Sequence, residues 1–160
     1  EEAKDDAKEA AKEDAEMKNE GDIAPDFTVT DFDGNSYTLS EQKGKKVYVK
    51  FWASWCGACL SSLPELNELA AQENNFEIIS IVTPGIGGEM DKEEFKEWFA
   101  GLGYENIKVF FDESGQTMTD YGVRALPTAA YIGTDGVLVG TQIGVVPSKE
   151  IVKAFDELIK

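Results

Sequence analysis

The sequence predicts an α/β protein with a central mixed β-sheet flanked by helices. Three observations carry this. The apolar runs "KKVYVKFWA", "FEIISIV" and "IKVFFD" are separated by stretches whose apolar residues recur at helical spacing. Turn signals at Asp33-Gly34-Asn35 and Asp135-Gly136 lie between alternating segments and call for hairpins towards both ends of the chain. Interleaved strands and helices followed by a final hairpin give a sheet that is mixed rather than purely parallel.

In chain order, "PDFTVTDFDGNSYTLSE" forms an N-terminal hairpin with Phe27, Val29, Tyr37 and Leu39 facing inward. "KKVYVKFWA" follows as a buried strand. From Gly57 to about Asn74, Leu63, Leu66, Leu69 and Ala70 recur at helical spacing, and Pro64 removes one backbone donor from that helix. After the strand "FEIISIV", the Gly-rich loop "TPGIGGEMD" enters a helix with Phe95, Trp98, Phe99 and Leu102 on one stripe. "IKVFFD" is the third apolar strand, "SGQTMTDYGV" a short helix, and "TAAYIGTDGVLVGTQIG" a hairpin. "SKEIVKAFDELIK" is the closing helix, with Ser148 as its N-cap.

A chain of 160 residues fits one domain with a single core, expected over residues 22–160. Residues 1–21 read as an acidic, solvated tail or spacer. Its first twenty positions hold nine acidic and four basic residues and almost no large apolar side chain. The net charge of −16 excludes nucleic acid and an anionic membrane surface as direct partners, because phosphates would be repelled. Neutral or basic protein patches remain. The chain contains no histidine, so no imidazole serves as base, metal ligand or switch near neutral pH.

The chemistry concentrates in "FWASWCGAC", which contains both cysteines. A zinc site needs four ligands, usually Cys and His, and two cysteines without histidine do not supply them. A structural disulfide closing a loop of two residues adds little stability. A strand ending at Ser54–Trp55 and a helix starting near Gly57 place Cys56 at a helix N-terminus. Free backbone N–H groups and the helix dipole there favour a thiolate. Cys59 lies one turn further on, within reach to resolve a mixed disulfide. The pattern points to Cys56 as nucleophile and Cys59 as resolver, with no metal and no cofactor beyond this redox-active pair.

With "FWASWCGAC", a helix carrying Pro64 and "ALPT" before a strand, the segment from Ile23 to Lys160 resembles the thioredoxin fold. The long segment between Cys56 and Pro127, with its extra helix and strand, is similar to the extracytoplasmic TlpA/ResA-type branch. "VTPGIGGEMDKEEFKEWFAGLGY" resembles the thioredoxin domains that supply electrons to secreted methionine sulfoxide reductases, fused to the reductase in the neisserial PilB protein and free-standing in streptococci. The resemblance implies a cis-proline at Pro127 facing the cysteines. It also implies a substrate groove formed by Leu126, Trp55, Gly57 and Ala58. It implies an oxidised partner protein, a methionine sulfoxide reductase, and a membrane thiol carrier of the CcdA kind as electron donor.

Two positions depart from the pattern. The buried aspartate of cytosolic thioredoxins is replaced by Lys50, and the glutamate that ResA-like proteins carry three residues after the second cysteine is replaced by Ser62. Lys50 and Glu65 are therefore the candidate modulators of proton transfer or thiolate stability. Lys50 reads either as a buried amine or as an ammonium snorkelling to the strand edge, and Glu65 also reads as a solvated helix residue. "GIGG" lacks the Lys-Ser/Thr ending of a phosphate loop and reads as a flexible rim beside the site.

The function expected is an extracytoplasmic thiol–disulfide reductase, a monomer, held at the bacterial surface through an anchor outside this sequence. The location rests on the resemblance, the acidic spacer and the lack of an initiating methionine. The alternatives are a reductase for cytochrome c maturation or other apoprotein thiols, a disulfide-forming oxidase, and a non-enzymatic surface-binding module.

Overall fold

The computed structural model describes residues 18–160, so most of the expected acidic tail lies outside the described residues. Seven strands form one sheet: β1 (Thr28–Thr30), β2 (Ser36–Thr38), β3 (Lys46–Phe51), β4 (Phe76–Val82), β5 (Val109–Phe111), β6 (Thr128–Ile132) and β7 (Leu138–Ile143). Among the described residues four α-helices accompany them: α1 (Gly57–Ala70), α2 (Lys92–Ala100), α3 (Gln116–Asp120) and α4 (Ser148–Glu157). The spatial order is β2-β1-β5-β4-β3-β6-β7.

The sheet is mixed for the reason the connections dictate. α1 and α2 carry the chain from β3 to β4 and from β4 to β5, and those pairs are parallel. Hairpins join β1 to β2 and β6 to β7, and those pairs are antiparallel, with Val29 opposite Tyr37 and Ala130 opposite Thr141. β6 lies antiparallel to β3, which is thereby paired on both sides. Asp31 closes the first turn by accepting from the N–H groups of Asp33 and Asn35 at 2.9 and 2.8 Å.

Alternation along β3 divides the core. Val47, Val49 and Phe51 join Phe27, Val29, Ile79 and Ile81 on one face of the sheet. Tyr48 and Trp52 join Leu63 and Leu66 of α1, Phe95 and Phe99 of α2 and Phe155 of α4 on the other. Phe76 and Phe155 stack there with centroids 4.1 Å apart. Lys50 shares the parity of Tyr48 and Trp52, so its side chain enters this helix-covered layer. Phe51 and Trp52 are core residues, as expected, and both are fully buried.

Three local expectations are corrected. α1 stops at Ala70, not near Asn74; the Asn74 side chain instead donates to the Leu69 carbonyl at 2.9 Å, satisfying an end group of the helix. Leu102 lies beyond the end of α2 and is exposed, so the apolar stripe is narrower than the spacing suggests. Ser148 is not the N-cap of α4. Pro147 holds that position, Ser148 is the first helical residue, and its N–H donates to Glu65 of α1 at 2.9 Å.

At the pole where β6 turns into β7, the carboxylate of Asp135 accepts the N–H groups of Lys18 and Asn19, both at 2.9 Å, and the Asn19 amide at 3.0 Å. Packed chain therefore reaches back to residue 18. No helix among the described residues is long and apolar enough to cross a membrane.

Candidate active site

β3 delivers the chain through Ala53–Trp55 to Cys56, which caps the N-terminus of α1 in an extended conformation (φ −92°, ψ 109°). Its Sγ accepts the N–H of Cys59 at 3.2 Å, one of the donors that a helix start leaves without an intrahelical partner. The two cysteines form a disulfide with Cα atoms 5.2 Å apart. Cys56 is 8 % exposed and Cys59 not at all, so of the two only the first reaches the surface. Gly57 and Ala58, between them, are exposed and leave the approach open.

The loop before β6 supplies the facing wall. The Leu126–Pro127 peptide bond is cis, and the Leu126 carbonyl oxygen lies 3.6 Å from Cys56 Sγ. Pro127 is buried, and its carbonyl accepts the Gly144 N–H at 2.8 Å, which ties this loop to the end of β7. Trp55 is 58 % exposed, so it is no core tryptophan; it borders Cys56 as an open apolar face. The structure thus brings together Cys56, Cys59, Trp55, Gly57, Ala58, Leu126 and Pro127.

The two departures from the family pattern meet each other behind Cys59. Lys50 is buried, and its Nζ donates to the Ser62 hydroxyl, which donates in turn to the Cys59 carbonyl at 2.8 Å. A snorkelling Lys50 is ruled out by this burial. Removal from water pulls its ammonium down from 10.5 to about 8, against the opposing pull of the Glu65 carboxylate. Lys50, Ser62 and Glu65 line one small cleft with Pro127, Thr128 and the Gly144–Val146 segment. Glu65 itself is exposed, and besides facing Lys50 it accepts the first N–H of α4, where the helix dipole favours a negative charge.

One residue of the site left no trace in the sequence pattern. Glu89, in the loop after β4, is 7 % exposed. Its carboxylate accepts the Ser54 N–H at 2.8 Å, the Met90 N–H at 2.9 Å and the Ser54 hydroxyl. A glutamate after two glycines looks solvated, and nothing local distinguishes it from Glu93 or Glu94. The Gly-rich loop is therefore pinned from beneath rather than being a free rim.

The Redoxin family model matches residues 19–159 of the chain. The chain is 33% identical over 147 residues to the thiol-disulfide oxidoreductase ResA of Geobacillus thermodenitrificans, covering 88% of this chain and 78% of that protein. Among solved structures it is similar to the exposed lipoprotein thioredoxin Etrx1 of Streptococcus pneumoniae, at 44% identity and a TM-score of 0.78, over 84% of this chain and 100% of that one. It is similar also to the N-terminal domain of PilB from Neisseria gonorrhoeae, at 27% identity and a TM-score of 0.72, over 81% of this chain and 87% of that one.

Proposed function

The chain belongs to the Redoxin family and is a thiol–disulfide oxidoreductase of the thioredoxin fold, and from that premise we propose that it works as an extracytoplasmic reductase of a surface methionine sulfoxide reductase. The observation that carries the reading is the pairing of a reachable sulfur at the N-terminus of α1 with a fully buried one a single turn behind it. The likeness to Etrx1, an exposed lipoprotein, supports the extracytoplasmic location and membrane attachment.

In the proposed reaction the Cys56 thiolate attacks one sulfur of the partner disulfide and the other partner sulfur leaves as a thiolate. Cys59 then gives up its proton and attacks Cys56 Sγ. This releases the second partner thiol and leaves the Cys56–Cys59 disulfide, so two electrons have moved to the partner. Leu126 and Pro127 hold the partner segment against Cys56. Lys50 and Ser62 form a buried polar pair that reaches the Cys59 backbone carbonyl. Held at about 8, Lys50 is matched to a thiol with an ordinary pKa of about 8.5, so its amine eases the proton loss that resolution requires. A membrane thiol carrier of the CcdA kind restores the dithiol.

Trapping tests this. A Cys59→Ser chain halts at the mixed disulfide on Cys56, and the partner recovered from the cell surface is expected to be a methionine sulfoxide reductase. Recovery of apocytochromes instead would move the assignment to cytochrome c maturation.

A further inference from the structure

Ser54 lies two residues before the nucleophile, and both of its hydrogen-bond donors are taken by a residue 35 positions away. Glu89 Oε2 accepts the Ser54 N–H, and Oε1 accepts both the Ser54 hydroxyl and the Met90 N–H. Only a carboxylate accepts at both oxygens. A glutamine at this position sets its NH2 group against one of the donors, and alanine leaves two backbone N–H groups without this acceptor.

The loop that carries Glu89 touches the nucleophile segment at a second point and the rest of the fold at a third. Gly88, at φ +90°, lies beside the indole of Trp55: a methyl group built on it stands 3.8 Å from Nε1. The Ile86 side chain rests on Gly115, just before α3, with a built methyl group there 3.4 Å from its Cδ1. The loop also closes on itself, since the Gly85 N–H donates to the Met90 carbonyl at 2.9 Å. Trp55 and Ile86, at 58 % and 41 % exposure, are the large apolar side chains that this assembly offers to solvent.

We propose that Glu89 is a positioning residue: by fastening the Gly85–Met90 loop to Ser54 it holds Trp55, Ile86 and Cys56 as one preformed docking surface for an extended, apolar-centred, neutral or basic segment of a disulfide-bearing partner. The charge of −16 on the chain selects against acidic segments. Rigid presentation lowers the ordering cost of docking, so Glu89 acts on affinity and leaves the exchange chemistry to the sulfurs. The inference rests on thiol–disulfide exchange at Cys56 and not on which protein the partner is.

The test is single-turnover reduction of a short lysine-containing peptide closed by one disulfide, mixed with the pre-reduced full chain, together with amide hydrogen exchange. In Glu89→Ala the half-saturating peptide concentration is expected to rise about tenfold, with the limiting rate altered less than about twofold. Glu89→Gln, which keeps two of the three bonds, is expected to fall between Ala and the parent. The amides of Ser54–Cys56 and Gly85–Met90 are expected to lose protection together in Glu89→Ala, while those of β3 and β4 keep theirs. A fall in limiting rate at unchanged half-saturation overturns the proposal. So does loss of protection in the loop alone, or a parent chain that does not saturate on the peptide. Should Glu89→Ala fail to fold, Ile86→Ser, a surface change away from the latch, must by itself raise half-saturation severalfold, and an unchanged value overturns the proposal. No sulfoxide reductase enters the experiment, so its failure and that of the partner assignment are separable.

Discussion

Replacing Lys50 by methionine keeps the stem that packs in the α1 layer and removes the charge at its tip, and the consequence can be worked out as a function of pH. Burial lowers the folded-state pKa of Lys50 to about 8, against 10.5 in its ordinary environment. The folded value lies below the unfolded one, so between pH 8 and 10.5 the unfolded chain binds the proton more tightly and stability grows as pH rises through that window. At 1.4 kcal/mol per pKa unit, the ammonium costs the folded state about 3 kcal/mol at pH 7 and about 1 kcal/mol at pH 10. The methionine chain carries no such cost. Wild type minus Lys50→Met, measured by urea unfolding of the oxidised proteins, is therefore expected to move in favour of wild type by about 2 kcal/mol between pH 7 and pH 10. Burial also pushes the hydroxyls of Tyr37, Tyr48 and Tyr121 well above their usual value, but these are common to both proteins and cancel in the difference. A difference that stays flat within about 0.5 kcal/mol would show that Lys50 is not a buried amine and would remove the physical basis of its proposed role behind Cys59.

Two further substitutions probe the supports of the site. Glu65→Ala leaves the Ser148 N–H at the start of α4 without its acceptor and removes the carboxylate that steadies the Lys50 ammonium. Urea unfolding at pH 7 should show a loss of about 0.5–1 kcal/mol, and the pH midpoint of the Lys50 effect should fall further below its wild-type position. At the opposite pole, burial raises the pKa of Asp135, but its bonds from Asn19, Val137 and Lys18 outweigh this and hold it below 3.8. That stabilisation is present above 3.8 and is lost as pH falls through the folded value, so the urea midpoints of wild type and Asp135→Asn should differ near neutrality and converge in acid.

What could be read from the sequence was what local pattern determines. The strands, the two hairpin turns and the cysteine pair follow from alternation, turn chemistry and spacing over a few residues. Trp55 is exposed and Phe51 and Trp52 are buried, but β3 ends at Phe51 and not at Ser54–Trp55, and Ala53–Trp55 carry the chain to Cys56 outside the strand. What escaped was set by contacts across the fold. Ser148 carries the right residue type for an N-cap, yet Glu65 takes its N–H from 83 positions away. Leu102 continues a helical stripe in the sequence, but the helix ends at Ala100 and the stripe ends with it. Glu89 is indistinguishable by composition from its exposed neighbours, and only the fold of the Gly-rich loop turns it towards Ser54.

The same distinction explains Lys50 and Ser62. Each position could be marked singly as a departure from the resembled pattern, but that they bond to each other depends on α1 crossing β3 at a fixed height. Once they do, the two departures become a single replacement. A carboxylate behind a buried thiol accepts its proton by becoming neutral; a lysine does so by becoming charged, which is costly where water is excluded. That cost is what brings the Lys50 amine down from 10.5 to about 8. In the proposed reaction the same group, while protonated, places a positive charge behind Cys59 and favours the thiolate that must attack. A lysine can therefore stand in for the missing acids in the proposed reaction through both of its protonation states, provided it stays buried and Glu65 keeps its value from falling further.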